Sequence, residues 1–71
     1  MDFLIKLRKK KKITGSDMAR ILGISKVFYW QIEHGQRRLS YEMALRIAYI
    51  FDMKPDELFY DYFFNNFKKT D

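Results

Sequence analysis

The side chains in this sequence that could do chemistry are mostly cations, and they are not arranged for catalysis. There is no cysteine, the one histidine is His34, and the close carboxylate pair is Asp56 and Glu57. Nucleophilic catalysis needs a base beside the nucleophile and a third group that orients the base, and the sequence offers no such set. Lysine and arginine instead cluster at residues 9–12 and 37–38. The sequence therefore predicts a binding protein rather than an enzyme, with no metal, cofactor or small-molecule ligand.

The positive charge lies in one part of the chain. Residues 1–46 contain 11 Lys/Arg and four Asp/Glu, a net +7, whereas residues 47–71 contain three and five, a net −2. A basic surface of this kind suits nucleic acid or an anionic membrane, and a solvated lysine-rich helix is the alternative interpretation. For residues 9–12, direct phosphate contact and a solvated helix end both remain open.

Length and composition indicate one small domain. A chain of 71 residues buries only about 60% of the surface that its unfolded form exposes. The hydrophobic content of 48%, with 18% aromatic residues, argues against disorder. Because cysteine is absent and no apolar run is long enough for a signal or a membrane span, we expect a soluble cytoplasmic protein.

Local signals predict an all-α fold of five helices. The predicted helix starts are marked by polar residues or proline, namely Asp2, Thr14 (in a capping box with Asp17), Ser25, Ser40 and Pro55. The predicted ends are Lys11, Gly23, His34 before Gly35, and Phe51, and the fifth helix is expected to continue to about Phe67. Apolar stripes predict a core of Leu4, Leu7, Met18, Ala19, Leu22, Tyr29, Ile32, Ala44, Ile47, Ala48, Phe51, Leu58 and Phe59.

The second and third helices have the organisation of a helix-turn-helix. Ala19 is small where two helices would cross, and Gly23 allows a tight turn between them. Tyr29 and Ile32 fall on the inward side of the third helix, which leaves an opposite side free for a ligand.

With these features the sequence resembles the Xre or lambda-repressor/Cro family of helix-turn-helix regulators. The similarity runs from Leu4 to Phe59 and is carried by Leu7-Arg8, Thr14, Met18-Ala19, Leu22-Gly23-Ile24-Ser25, Ile32-Glu33, Gly35, Ser40, Ile47-Ala48 and Asp56-Glu57-Leu58-Phe59. The resemblance implies a lambda-repressor-like domain over residues 1–60. It also implies a transcriptional regulator, expected to be a repressor, that binds a near-palindromic double-stranded operator as a homodimer without a cofactor.

The resemblance also implies which residues touch DNA. It assigns base recognition to Lys26, Val27 and Gln31, with Trp30 beside them, and a helical wheel independently turns these four residues and His34 outward. The phosphate contacts are expected at Lys10, Gly15, Ser16, Phe28, His34, Gln36, Arg37 and Arg38.

Two departures from the family pattern lie near these positions. Gly15 stands where the family usually has glutamine, so only the backbone N–H is offered to a phosphate. Leu39 replaces a frequent proline, and we expect it to loosen the loop.

Arg8 and Glu33 are predicted to form a structural ion pair. The resemblance brings the first helix against the end of the third, where an unpaired Glu33 would repel phosphate. A phosphate contact is the alternative role of Arg8.

The aromatic segment 61–71 is predicted to extend helix five and to form a dimer interface. Phe59, Phe63 and Phe67 share one row and Tyr60 and Phe64 the next, so one row can cover the core while the other meets a second copy. The expected interface residues are Tyr60, Phe63, Phe64 and Phe67. The alternative is that the tail folds back and buries all of its rings.

A second class of function also remains open. The same fold serves as a protein-interaction module, as in an antitoxin or antirepressor, and Phe28, Trp30 and the aromatic tail would then hold another protein.

Overall fold

The computed structural model describes residues 1–69, with side chains through Phe67. It contains five helices and no strand in this range, which confirms the all-α prediction. The helices are α1 (Asp2–Lys10), α2 (Gly15–Leu22), α3 (Lys26–Glu33), α4 (Tyr41–Ile50) and α5 (Pro55–Lys69). The segment from residue 61 continues α5 without a break, and residues 70 and 71 of the predicted extension lie outside the described residues.

Side-chain caps start α2, α3 and α4 where the sequence predicted them. The Thr14 hydroxyl accepts the Asp17 N–H at 3.0 Å, and the Asp17 carboxylate accepts the Thr14 N–H at 3.2 Å, which completes the capping box. The hydrogen bond that the Thr14 N–H donates to the Asp17 carboxylate lowers the pKa of Asp17. Ser25 and Ser40 each accept an N–H three residues ahead, at 3.0 and 3.1 Å.

The helix ends follow the glycine signals only in part. Gly23 and Gly35 adopt positive φ values of 71° and 70°, as a left-handed turn requires. Lys12 and Asp52, which follow α1 and α4, adopt the same conformation at 60° and 55° without being glycine. Nothing in their residue types predicted those two turns.

The chain divides into two compact units, and the first contains α1 to α3. Its buried apolar residues are Leu4, Met18, Ala19, Leu22, Tyr29, Ile32 and Leu39. Two expectations need correction here, because Leu7 is only half-buried and Leu39 is buried. The apolar Leu39 side chain is removed from water, so it anchors the loop that we expected it to loosen.

The second unit, from Ser40 onward, contains α4 and α5 packed on each other. Its core consists of Ala44, Ile47, Ala48, Phe51 and Phe59, all of them predicted, whereas Leu58 is half-buried. None of the described helices has the length and apolar character needed to cross a bilayer.

Candidate nucleic-acid interface

Helices α2 and α3 are joined by a turn of three residues, Gly23 to Ser25. Gly23 is the C-cap of α2, and the next N–H, that of Ile24, donates to the Ala19 carbonyl at 3.0 Å. Ser25 then caps α3. Ala19 is 2% exposed, and the small side chain allows α2 and α3 to pack closely.

Helix α3 has one buried side and one exposed side. Tyr29 and Ile32 are each 1% exposed, whereas Val27 is 65% exposed and Trp30 48% exposed. Lys26 is exposed and Gln31 is half-exposed. The structure therefore brings the four predicted base-reading residues together on the solvent side of one helix, and we call this set the outer face of α3.

Arg37 connects the loop after α3 to this outer face. Its guanidinium carbon lies 4.2 Å from the centroid of the Phe28 ring, a cation–π contact. Its Nε donates to Gln31 Oε1 at 3.2 Å. Sequence reasoning missed these contacts, since Arg37 lies in a loop, six positions from Gln31 and nine from Phe28.

Phe28 was expected at a phosphate, but its donor is already used. The Phe28 N–H donates to the Ser25 hydroxyl, and the half-buried ring lies under Arg37. The ring therefore supports Arg37, and a phosphate contact at Phe28 stays a prediction.

Trp30 and His34 form a stacked pair one helical turn apart. The ring centroids are 4.1 Å apart with an interplanar angle of 17°. His34 Nδ1 lies 2.9 Å from the Trp30 carbonyl oxygen, which can only accept, so Nδ1 carries the proton. His34 is the C-cap residue of α3, at the predicted end of the helix. The i, i+4 spacing was the available sequence signal for the stack.

The predicted pair of Arg8 and Glu33 is present and nearly buried. Arg8 Nε donates to Glu33 Oε2 at 2.6 Å and Nη2 donates to Oε1 at 3.2 Å, with the two side chains 13% and 4% exposed. The hydrogen bond that Arg8 donates to Glu33 raises the pKa of Arg8 despite the opposing effect of desolvation. Arg8 Nη1 also donates to the Ile13 carbonyl at 3.1 Å. The pair thus fixes the end of α3 to α1 and to the loop that follows α1.

The Met1 ammonium group adds a second bond at the same end of α3. It donates to the Glu33 carbonyl at 2.7 Å, where a positive charge is favourable against the helix dipole.

Tyr29 lies beneath the outer face with an unsatisfied polar atom. Its hydroxyl is buried and makes no hydrogen bond of acceptable geometry. Burial raises the pKa of Tyr29 far above its usual range, and the charge of the nearby Glu33 carboxylate adds to this without a formed bond. The hydroxyl stays neutral at any physiological pH.

The predicted phosphate contacts lie in two places around α3. A groove of about 510 Å³ runs between α1, the start of α2 and α3, and its lining includes Lys9, Gly15, Ser16, Lys26 and His34. Gly15 and Ser16 occupy the first turn of α2, where backbone N–H groups favour an anion. The other predicted contacts are exposed, namely Lys10 at the end of α1 and Gln36, Arg37 and Arg38 in the loop after α3.

Helix α5 exposes three of its aromatic rings. Tyr60 is 59% exposed and Phe64 45% exposed, and the two rings stack with centroids 5.7 Å apart. We call this pair, together with Phe67, the outer face of α5. Phe67 is 68% exposed, so the tail does not bury all of its rings. In the row of Phe59, Phe63 and Phe67, only the first part covers the core.

Phe63 differs from the other three predicted interface residues. It is half-buried, and its ring contacts Phe59 at 6.4 Å and Tyr41 at 5.9 Å, both in the same unit. Its observed ring contacts are therefore within its own unit, and its part in a dimer interface stays a prediction.

Comparison with known proteins relates almost the whole chain to one family. Residues 2–62 match the family described as "Helix-turn-helix domain", which is found in Xre-type regulators. The chain is 43% identical over 58 residues to the HTH-type transcriptional regulator AnsR of Bacillus subtilis (strain 168), covering 82% of this chain and 50% of that protein. It is 40% identical over 55 residues to the uncharacterized HTH-type transcriptional regulator YqaE of the same organism, covering 78% and 47%. The chain thus spans about half the length of these relatives, and no solved structure matches it.

Proposed function

We propose that this chain, which belongs to the helix-turn-helix domain family, is a transcriptional regulator that binds double-stranded DNA with α3 in the major groove. The expected resemblance to Xre-type regulators is thereby confirmed. The observation that carries the proposal is the outer face of α3. The side chains that point to solvent are Lys26, Val27, Trp30 and Gln31. Their helix is capped at its start and held by an ion pair at its end.

The chemistry of this face matches base edges in the major groove. Lys26 donates to guanine O6 or N7, Val27 meets a thymine methyl group, and Gln31 pairs with adenine N6 and N7. Trp30 adds an apolar surface beside them, held against His34.

Phosphate contacts would then fix the position of α3. We assign them to the first turn of α2 at Gly15 and Ser16 and to the exposed loop at Gln36, Arg37 and Arg38, with Lys10 and His34 at the margins. The net charge of +7 over residues 1–46 would attract DNA before specific contacts form.

We further propose that the chain acts as a homodimeric repressor on a near-palindromic operator. The outer face of α5 supports the dimer, because monomers seldom expose several large rings in one patch. A two-fold dimer presents two recognition helices about 34 Å apart, one turn of DNA. The relatives AnsR and YqaE are named as transcriptional regulators, which agrees with a regulatory role but leaves repression and dimerisation to this proposal.

An electrophoretic mobility shift on the DNA upstream of its own gene tests the proposal. We expect a specific shift that an unrelated duplex does not compete away. Gln31→Ala should cost about 1 to 3 kcal/mol at one base position while nonspecific binding is unchanged. Absence of any shift, with a folded protein and low salt, would favour the alternative of a protein-interaction module.

A further inference from the structure

We propose that Arg37 determines sequence specificity by fixing the orientation of the Gln31 side-chain amide. The inference rests on the proposed function, since it assumes that the outer face of α3 meets base edges. It assigns Arg37 a second role beside the phosphate contact that the family resemblance implies.

Two contacts hold Arg37 in one place. The guanidinium lies over the Phe28 ring at 4.2 Å, and Nε donates to Gln31 Oε1 at 3.2 Å. Phe28 is itself half-buried and part of α3, so the plane of the guanidinium is supported by the recognition helix. An exposed arginine in a loop would otherwise sample many rotamers.

The hydrogen bond from Arg37 removes an ambiguity in Gln31. A terminal amide rotates between two orientations of similar energy that exchange its oxygen and its NH₂ group. The Nε–H group of Arg37 can only donate, so it favours the Gln31 orientation that turns Oε1 toward it. The reverse orientation would place the amide NH₂ group against Nε–H, donor against donor, and is disfavoured. Gln31 therefore presents one fixed pattern of donor and acceptor.

A fixed pattern matters because bases differ in the order of these groups. Adenine places an acceptor, N7, beside a donor, the N6 amino group, and an amide matches both only in one orientation. The oxygen of Gln31 has a second lone pair, so it can serve the adenine amino group and Arg37 together. Without Arg37 both orientations are available, and base pairs with the reversed order are discriminated less well.

The substitution Arg37→Lys separates this role from simple charge. Lysine keeps the positive charge for phosphate but lacks the Nε–H group and the planar surface that stacks on an aromatic ring. The guanidinium has five N–H donors, of which the contact with Gln31 uses one, so a phosphate contact of Arg37 is compatible with the proposal. Arg20→Lys is the control, because Arg20 is an exposed arginine outside the proposed DNA contacts.

The experiment uses a duplex selected by the full chain from a randomised pool. Dissociation constants are then measured for all four base pairs at each position of that duplex. The position at which Gln31→Ala loses discrimination identifies the base pair that Gln31 contacts. At that position we expect Arg37→Lys to reduce discrimination by about threefold to tenfold. The salt dependence of its binding should stay near that of the wild type, and Arg20→Lys should leave discrimination intact.

The double variant Arg37→Lys with Gln31→Ala should discriminate no worse than Gln31→Ala alone, since the two residues act as one unit. Unchanged discrimination in Arg37→Lys would overturn the inference, and so would a Gln31→Ala variant that affects no base pair. If the wild-type chain selects no duplex at all, it is the proposed function that fails.

Discussion

Helices α3 and α5 both expose aromatic rings, but the charges beside the rings differ. Trp30 on α3 and Phe64 on α5 are almost equally exposed, at 48% and 45%. On α3 the rings are paired with His34 and Arg37, whereas Tyr60 and Phe64 on α5 are flanked in sequence by Asp61. An exposed ring therefore does not define its partner. The cations beside the rings of α3 favour a polyanion there, whereas the acidic Asp61 disfavours one at Tyr60 and Phe64 of α5.

Added salt should have the largest effect, because it should weaken DNA binding by the outer face of α3 far more than self-association through the outer face of α5. If about six phosphates are contacted, DNA affinity should fall about 10³-fold between 50 and 200 mM salt. Self-association through the outer face of α5 should change little, because burial of apolar rings is not screened. Fluorescence anisotropy of a labelled duplex and sedimentation of the protein alone measure the two responses. If DNA binding and self-association depended equally on salt, the contrast between α3 and α5 would be wrong.

The ion pair at the end of α3 should give the next largest effect. Arg8→Ala or Glu33→Ala leaves a nearly buried charge without its partner, and we expect a loss of about 3 kcal/mol in the free energy of unfolding. Replacing both residues with apolar ones should cost less than either single change. Urea denaturation of the three variants gives the coupling, and additive losses would show that the pair is not a unit. Arg20→Ala, in the exposed pair with Asp17, is the control and should not measurably alter stability.

The outer face of α5 should be required for self-association. We expect Tyr60→Ser with Phe64→Ser to weaken the dimer by about 100-fold, since two large rings per copy would lose their buried area. Tyr49→Ser is the control, because Tyr49 is 85% exposed on α4 of the same unit. Sedimentation at micromolar concentration measures the change. A wild-type monomer, or equal weakening by Tyr49→Ser, would rule out this face as the interface.

The smallest expected effect is on stability and concerns the buried sides of α3 and α5. Tyr29 buries an unsatisfied hydroxyl beneath α3, whereas Phe59 on α5 is fully buried without a polar atom. Tyr29→Phe should therefore leave the free energy of unfolding unchanged or raise it by up to about 1 kcal/mol. Thermal denaturation tests this, and a clear loss of stability would mean that the hydroxyl has a stabilising partner.

Sequence reasoning was most successful where structure depends on neighbouring residues. Thr14, Ser25 and Ser40 cap helices by bonding an N–H three positions away, and Gly23 and Gly35 suit turns that need positive φ. These rules act within four residues, so the sequence contains all that they need.

The features that sequence reasoning missed depend on parts of the chain that approach one another only after folding. Leu39 is in a loop, and its burial follows from packing rather than from any periodic pattern. The contacts of Arg37 join a loop to two positions on α3, and no helical spacing connects them. The ion pair of Arg8 with Glu33 was found because the family resemblance supplied the long-range approach that the residues alone did not.

The stacking of Trp30 on His34 also gives the molecule its own optical reporter. Trp30 is the one tryptophan in the sequence, and it lies on the outer face of α3 within 4.1 Å of an imidazole. Its emission therefore originates from the surface proposed to meet DNA, while α5 contributes only phenylalanine and tyrosine. Excitation at the red edge of indole absorption therefore follows occupancy of α3 without a label.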